Sequence, residues 1–278
     1  MSIGSDNFCG DNENAATLSV GSSQSRSPKL TKYPNSETAF YDLGWRTMEP
    51  MFRGGQYGQL HRRNFGVLHV FNQGTIKPSQ GYPMHPHENM EIVTIPIKGK
   101  WEHRDSSENL IHFSDGEVQV MSAGTGMAHS EFNASNTDEL TTMQFWLHTN
   151  EPDLAPRYEW YRYKEKMQQN QFASLVQPIR HKGVESDAQD GARILQDAWF
   201  SIGKFDQNAD LSYVFKGDNH GVFAYVLDGE FLIEGVKLGP KDALGIENTK
   251  MVTGVSLTHD AQLLVVEVPM QGFESESN

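Results

Sequence analysis

Apolar and polar residues alternate over short stretches of this chain, and glycine, proline and small polar residues separate the stretches. A first strand is predicted over residues 65–71, ended by Asn72, Gln73 and Gly74. Residues 91–97 are apolar on both faces, as expected of a strand buried between layers. Pro96 cannot donate to a ladder, so it marks an edge or a bulge there. Lys98, Gly99 and Lys100 turn the chain, and residues 101–105 run back. Further strands are expected over 117–121 and 140–148, with a Gly-rich bend over 122–126 before the second. The charged stretch 158–171 reads as a short helix or an irregular connection, and 54–58 and 183–191 read as loops.

The second half repeats this grammar. Residues 222–227 and 231–235 form a hairpin around Asp228-Gly229, and 263–268 is the last strong strand. Ile97-Lys98-Gly99-Lys100-Trp101 parallels Leu227-Asp228-Gly229-Glu230-Phe231. Short strands at even spacing with Gly and Pro turns predict an all-β chain of two similar jelly-roll barrels. Residues 1–38 have little apolar content and no period, and read as a disordered extension. Residues 39–165 then make the first barrel and 166–278 the second.

At 278 residues the chain is long enough for this arrangement. A net charge of −13 suits neither a phosphate backbone nor an anionic membrane. No apolar run approaches the ~20 residues of a membrane span, and the N-terminus shows no secretory pattern. The single cysteine, Cys9, has no partner and reads as an inert thiol. A cytoplasmic location is expected.

Histidine placement supplies the chemistry. Five of the 11 histidines fall between His85 and His129. Side chains at i and i+2 on a strand share a face, so His85 pairs with His87, and His129 with Glu131. Neighbouring strands would join the pairs into a mixed N/O metal site. His103 and His112 read as solvated surface residues, His69 as core, and His220 and His259 as structural or surface. The second half lacks any His-X-His, which keeps the chemistry in the first.

Gly81, His85, His87, Glu91 and Gly99 have the spacing of the first cupin motif. Gly116, Gly124, His129 and Asn133 resemble the second, with Ser122 in place of the usual proline and two extra residues before the histidine. More narrowly, Met84-His85-Pro86-His87, Glu102-His103-Arg104-Asp105-Ser106, Met121-Ser122-Ala123-Gly124-Thr125-Gly126 and His129-Ser130-Glu131 resemble the pirin family, over about residues 43–270. The resemblance implies a bicupin and a metal held by His85, His87, His129 and Glu131. Other cupins use the first-motif glutamate, here Glu91. Period two favours Glu131, because Glu91 lies about 13 Å from His87 along a straight strand. Glu91 is then a candidate for fixing a ligand imidazole.

The resemblance implies Fe(II), while the donor set would also accept Ni, Mn, Co, Cu or Zn. It implies a quercetin 2,3-dioxygenase activity, in which a small aromatic flavonol and O2 meet at the metal and the ring opens with loss of carbon monoxide. Glu131 is the candidate catalytic base for the flavonol hydroxyl. Met121, Phe145 and Trp146 are candidate pocket walls, with Gln144 as a polar contact. The resemblance also implies a second class of function, an iron-bearing regulator whose metal oxidation state alters a surface that binds a partner protein.

Overall fold

A computed structural model of the chain describes residues 27–52, 62–181, 184–185 and 190–271. Cys9, the loop 54–58 and most of the loop 183–191 lie outside the described residues. The described chain is built of strands, and each half contributes one large and one small sheet, with a further two-stranded pair, Arg180–His181 and Val184–Glu185, in part of the stretch expected to be a loop. In the first half the large sheet runs Arg157–Arg162, Glu117–Ser122, Met90–Lys98, Leu140–His148, Leu68–Ile76, Thr47–Pro50, Tyr41–Asp42. Its small sheet runs Gly81–His87, Met127–Asn133, Lys100–Asp105, Leu110–Ser114. The second half repeats this plan. Its large sheet is Lys29–Tyr33, Ala243–Glu247, His220–Asp228, Ala261–Pro269, Trp199–Phe205, Gln171–Pro178, Ala192–Ile194. Its small sheet is Asp210–Val214, Met251–Ser256, Phe231–Ile233, Val236–Leu238.

Parity along the central strands explains where the core sits. The largest buried apolar cluster draws on both large sheets, with Val93, Ile95, Phe145 and Leu147 from the first and Phe200, Phe223, Leu264 and Val266 from the second. Phe145 meets Phe200 at 5.3 Å and Phe71 meets Tyr225 at 4.7 Å between ring centroids. The alternate positions point into each barrel. In the second half these are Val222, Ala224, Val226, Leu263 and Val265, which fill it with hydrocarbon. In the first half they include Thr94, Gln119 and Gln144, joined by hydrogen bonds. Hydrocarbon thus fills the interior of the second barrel, while hydrogen-bonded polar side chains line that of the first.

Several expectations need correction. The stretch Lys29–Tyr33, expected to be disordered, is a strand paired antiparallel with Ala243–Glu247. Main-chain pairing at a sheet edge requires little apolar content, and the Tyr33 ring packs against Phe52 and Phe223. The polar stretch after residue 156 opens with a strand, Arg157–Arg162, pinned along Glu117–Ser122. Only Lys164–Lys166 is a helical turn, of the 3-10 kind. Of the edge or bulge expected at Pro96, the structure has the bulge: Pro96 lies in a central strand opposite Thr142, where the register shifts between Thr141 and Thr142.

A chain starting at residue 39 should therefore melt well below one starting at Ser27. It loses a full strand, the Tyr33 ring and the bond from the Asn35 amide to Asp242. Equal melting temperatures in thermal denaturation would show that the strand adds nothing to stability.

Candidate metal centre

The centre lies in the small sheet of the first half. Gly81–His87 runs antiparallel to Met127–Asn133, with His129 opposite His85 and Met127 opposite His87. The register shifts between His129 and Glu131, so Glu131 faces Tyr82. Close approach at this bulge depends on Gly81, where a Cβ would stand 2.1 Å from the Glu131 carbonyl oxygen. The Gly-rich bend needs Gly124 for a similar reason. Its φ is +49°, and a Cβ there would meet the Leu154 carbonyl oxygen at 2.0 Å. The Gly124 carbonyl in turn accepts from the Asn89 amide, which ties the bend to the turn after His87.

Three imidazoles converge. Ring centroids are 4.4 Å apart for His85 and His129, 4.9 Å for His85 and His87, and 5.0 Å for His87 and His129. One donor atom from each lies within 4.8 Å of the others. His85 and His87 are half-buried and their strand neighbours Met84 and Pro86 point outward, while His129 and Glu131 are buried. His85 Nδ1 bonds the Pro83 carbonyl at 2.8 Å, which leaves Nε2 free. His87 Nε2 and both nitrogens of His129 are buried with no hydrogen-bond partner. Unpartnered buried nitrogens are costly unless something fills them, and a cation with imidazole affinity fits this donor set.

Burial drives the ionisation of the group. It pushes His129 down to about 2 with help from His85, His103 and His87, and His87 down to about 4 with help from His85. Both rings are therefore neutral, as ligation requires. Burial raises Glu131 to about 7 against the opposing hydrogen bond from Gln144. Gln144 Nε2 donates to the two carboxylate oxygens at 3.0 and 3.1 Å. Trp146 Nε1 donates to Gln144 Oε1 at 3.0 Å and so fixes the amide's orientation, while the Trp146 ring packs against His87.

The pocket expectations divide by parity. Gln144 and Trp146 face the site. Phe145 points the other way, stacked on Phe71 in the core between the halves, so it is no pocket wall. Met121 is fully buried with Ile92, Ala123 and Met127 in a small cluster against which Trp146 packs.

Glu91 does not fix an imidazole. Its Oε2 accepts from the Ser122 hydroxyl at 2.7 Å and from the Leu195 amide at 3.3 Å, bridging the two halves. The turn at Glu88-Asn89, with φ of +46° at Asn89, separates its strand from that of His87, so parity does not carry across. Glu91 shares the face of Val93 and Ile95 instead.

Burial raises Glu91 to about 7, against opposing bonds from Ser122 and Leu195 and the charge of Arg157. A carboxyl with a raised native pKa stabilises fully below its unfolded value, and that contribution is lost as pH rises through the folded value. Glu91→Gln should therefore gain melting temperature relative to the parent between pH 5 and pH 8. An offset that stays flat across that window in metal-free protein would refute the assignment.

His103 overturns its surface reading. It is fully buried directly across from Glu131, because Lys100–Asp105 pairs with the other edge of Met127–Asn133. Its Nε2 bonds Asp105 Oδ2 at 3.0 Å, its ring stacks on Tyr158 at 4.5 Å, and its Nδ1 has no partner. One donor atom each of His103, His129 and Glu131 also lie within 4.8 Å of one another. Burial pushes Asp105 up, but bonds from Asn109, His103 and Ser107 outweigh it and hold the carboxyl below its ordinary value. The signal was present in the sequence, since His103 and Asp105 stand at i and i+2 like the other pairs.

His112 is exposed and bonded to Glu102, and His259 is exposed. His69 is half-buried against the His148 ring at 4.7 Å, away from the packed core expected for it. In the second half, Tyr213 faces Val252 across the strand pair that corresponds to His85 facing His129. The Tyr213 hydroxyl donates to the fully buried Glu267, which also accepts from the Lys216 and Gly217 amides and bonds His220. His220 is thus structural.

Comparison with known proteins agrees with this fold. The Pirin family model matches residues 46–147, and the model for the quercetinase C-terminal cupin domain matches 184–268. The chain is 30% identical over 235 residues to a protein of Escherichia coli K12 named quercetin 2,3-dioxygenase, covering 84% of this chain and 96% of that one. It is 28% identical over 238 residues to a pirin-like protein of Caulobacter vibrioides, covering 86% and 99%. Its fold matches the crystal structure of the E. coli bacterial pirin YhhW in complex with nickel(II), with a TM-score of 0.77 and 27% identity over 87% of this chain and 99% of that one. The two barrels are cupin domains, and the chain belongs to the pirin family.

Proposed function

We propose that the chain is a metal-dependent dioxygenase that opens a flavonol-type aromatic such as quercetin, with the metal held by His85, His87, His129 and Glu131. The observation that carries this is the convergence of His85, His87 and His129, whose buried nitrogens lack partners, with the buried Glu131 carboxylate 3.6 Å from His129 and grouped with His129 and His103. The name of the E. coli relative supports the reaction, and the nickel complex of YhhW supports a divalent metal. Fe(II) is the proposed ion, since three imidazoles and one carboxylate leave positions for both a substrate and dioxygen. When bound, it supplies a Lewis acid to the substrate's deprotonated hydroxyl and to dioxygen.

The rest of the chemistry falls to the chain's own residues. Burial raises Glu131 to about 7, so near neutrality it exchanges readily between acid and carboxylate, and as the carboxylate it is the group that would take the proton from the flavonol hydroxyl. Gln144, oriented by Trp146, holds that carboxylate in place. The half-exposed Trp146 ring offers the substrate a flat apolar wall beside His87. The exposed side of the site favours a second reading. Met84, 52% exposed, stands next to His85 on the outer face, where a partner protein could sense the metal.

Metal analysis of protein purified without added metal, followed by an anaerobic-to-aerobic quercetin assay, separates the two. Near-stoichiometric iron with loss of flavonol absorbance and release of carbon monoxide is the expected result. Bound metal without turnover on quercetin would favour the regulator, and absence of metal would refute both.

A further inference from the structure

We infer that His103, anchored by Asp105, positions the ligand His129 by accepting a hydrogen bond from its non-coordinating nitrogen. The inference rests on the metal reading above. Asp105 is a fixed acceptor, because its oxygens take bonds from the Ser107 amide at 2.9 Å, the Asn109 amide at 3.1 Å and the Asn109 side chain at 2.8 Å. The bond from His103 Nε2 therefore places the ring proton on that nitrogen. The opposite nitrogen, Nδ1, is left as a bare lone pair, buried and unpartnered. Stacking on Tyr158 holds the ring plane, and the Tyr158 hydroxyl is itself held by Gln119 at 3.0 Å.

His129 has the complementary need. Once one of its nitrogens is given to a metal, the other keeps a proton and requires an acceptor, as ligand histidines generally do. Glu131 Oε1 is 3.6 Å from His129 Nδ1, beyond hydrogen-bond range, and both carboxylate oxygens already accept from Gln144. His85 bonds its own strand through Pro83. That leaves His103, whose ring centroid is 5.4 Å from that of His129; with His103 held by Asp105 and Tyr158, it is the unpartnered His129 ring that would turn to bring the two nitrogens together. Asp105, His103 and His129 then form a carboxylate–histidine–histidine line ending at the metal.

The test is Co2+ affinity by chelator competition on the full chain with three substitutions at one position. Asparagine presents its oxygen where Nδ1 stands, glutamine presents its own nearer Nε2, and phenylalanine keeps only the stack. His103→Gln and His103→Phe should bind Co2+ about 10–100-fold more weakly than the parent, and His103→Asn should recover most of the loss. Pulsed electron paramagnetic resonance of bound Cu2+ should count three imidazoles in the parent and in His103→Gln alike. Parent-like affinity in His103→Gln and His103→Phe would overturn the inference, as would an asparagine variant no better than the glutamine one. A lower imidazole count in His103→Gln would make His103 a ligand and overturn it too. His85→Ala distinguishes the underlying reading. If it loses Co2+ while the position-103 variants match the parent, the inference alone fails; a parent that takes up no Co2+ removes the metal reading and the inference together.

Discussion

His129→Ala is expected to abolish tight metal binding while leaving the chain folded. His129 is the imidazole that both candidate trios share, and it is 1% exposed. Because burial holds its pKa near 2, it presents a lone pair at any ordinary pH and competes little with protons for the metal. Neither nitrogen has a hydrogen-bond partner, so truncation orphans no other group. The loss should exceed the roughly 10–100-fold that changes behind a ligand cost. Melting with and without metal reads this directly. At a free concentration about 1,000 times the dissociation constant, a ligand that binds only the native state stabilises it by about 4 kcal/mol. The parent should show that shift and His129→Ala none, while the two metal-free chains melt close together. Full metal occupancy in the variant would overturn the ligand assignment.

The two halves of the candidate centre were legible in the sequence because a single rule, the period of two along a strand, acts within one strand at a time. It placed His85 with His87 and His129 with Glu131 without knowledge of which strands are neighbours. It failed for Glu91, where a turn with a positive φ resets the parity between two strands. Phe145 was misplaced for a related reason. Leu140–His148 carries large side chains on both faces, Phe145 on one and Trp146 on the other, and only the neighbouring sheets show that odd positions face the other half while Gln144 and Trp146 face the site. His103 and Asp105 satisfied the same rule as the metal pairs. Their polar neighbours disguised them, since burial of Lys100–Asp105 depends on its place between two other strands of the small sheet. The strand Lys29–Tyr33 was invisible for a further reason, because edge pairing uses main-chain groups common to every sequence.

Phe223→Ala is expected to destabilise the whole chain in one transition. Phe223 has no exposed surface, and its ring meets those of Tyr33, Phe52, Phe65 and Phe71 at 5.5, 5.1, 5.7 and 6.1 Å. Phe71 in turn stacks on Phe145, in the strand that also carries Gln144 and Trp146. Truncating a buried phenylalanine costs about 3–5 kcal/mol, through lost transfer energy and the cavity left behind. For a chain of this size that amounts to roughly 10 °C in melting temperature. A single calorimetric transition should move by this amount, because the apolar core lies between the halves and neither large sheet keeps its buried face without the other. Val214→Ala, at a residue 63% exposed on the outer small sheet, should leave it in place. Two separate transitions, with only one shifted, would mean that the halves are stable alone. With one transition, added metal should stabilise Phe223→Ala by the same free energy as it does the parent. Phe223 lies in the second half and the metal in the first, so that equality would show one folding unit carrying both.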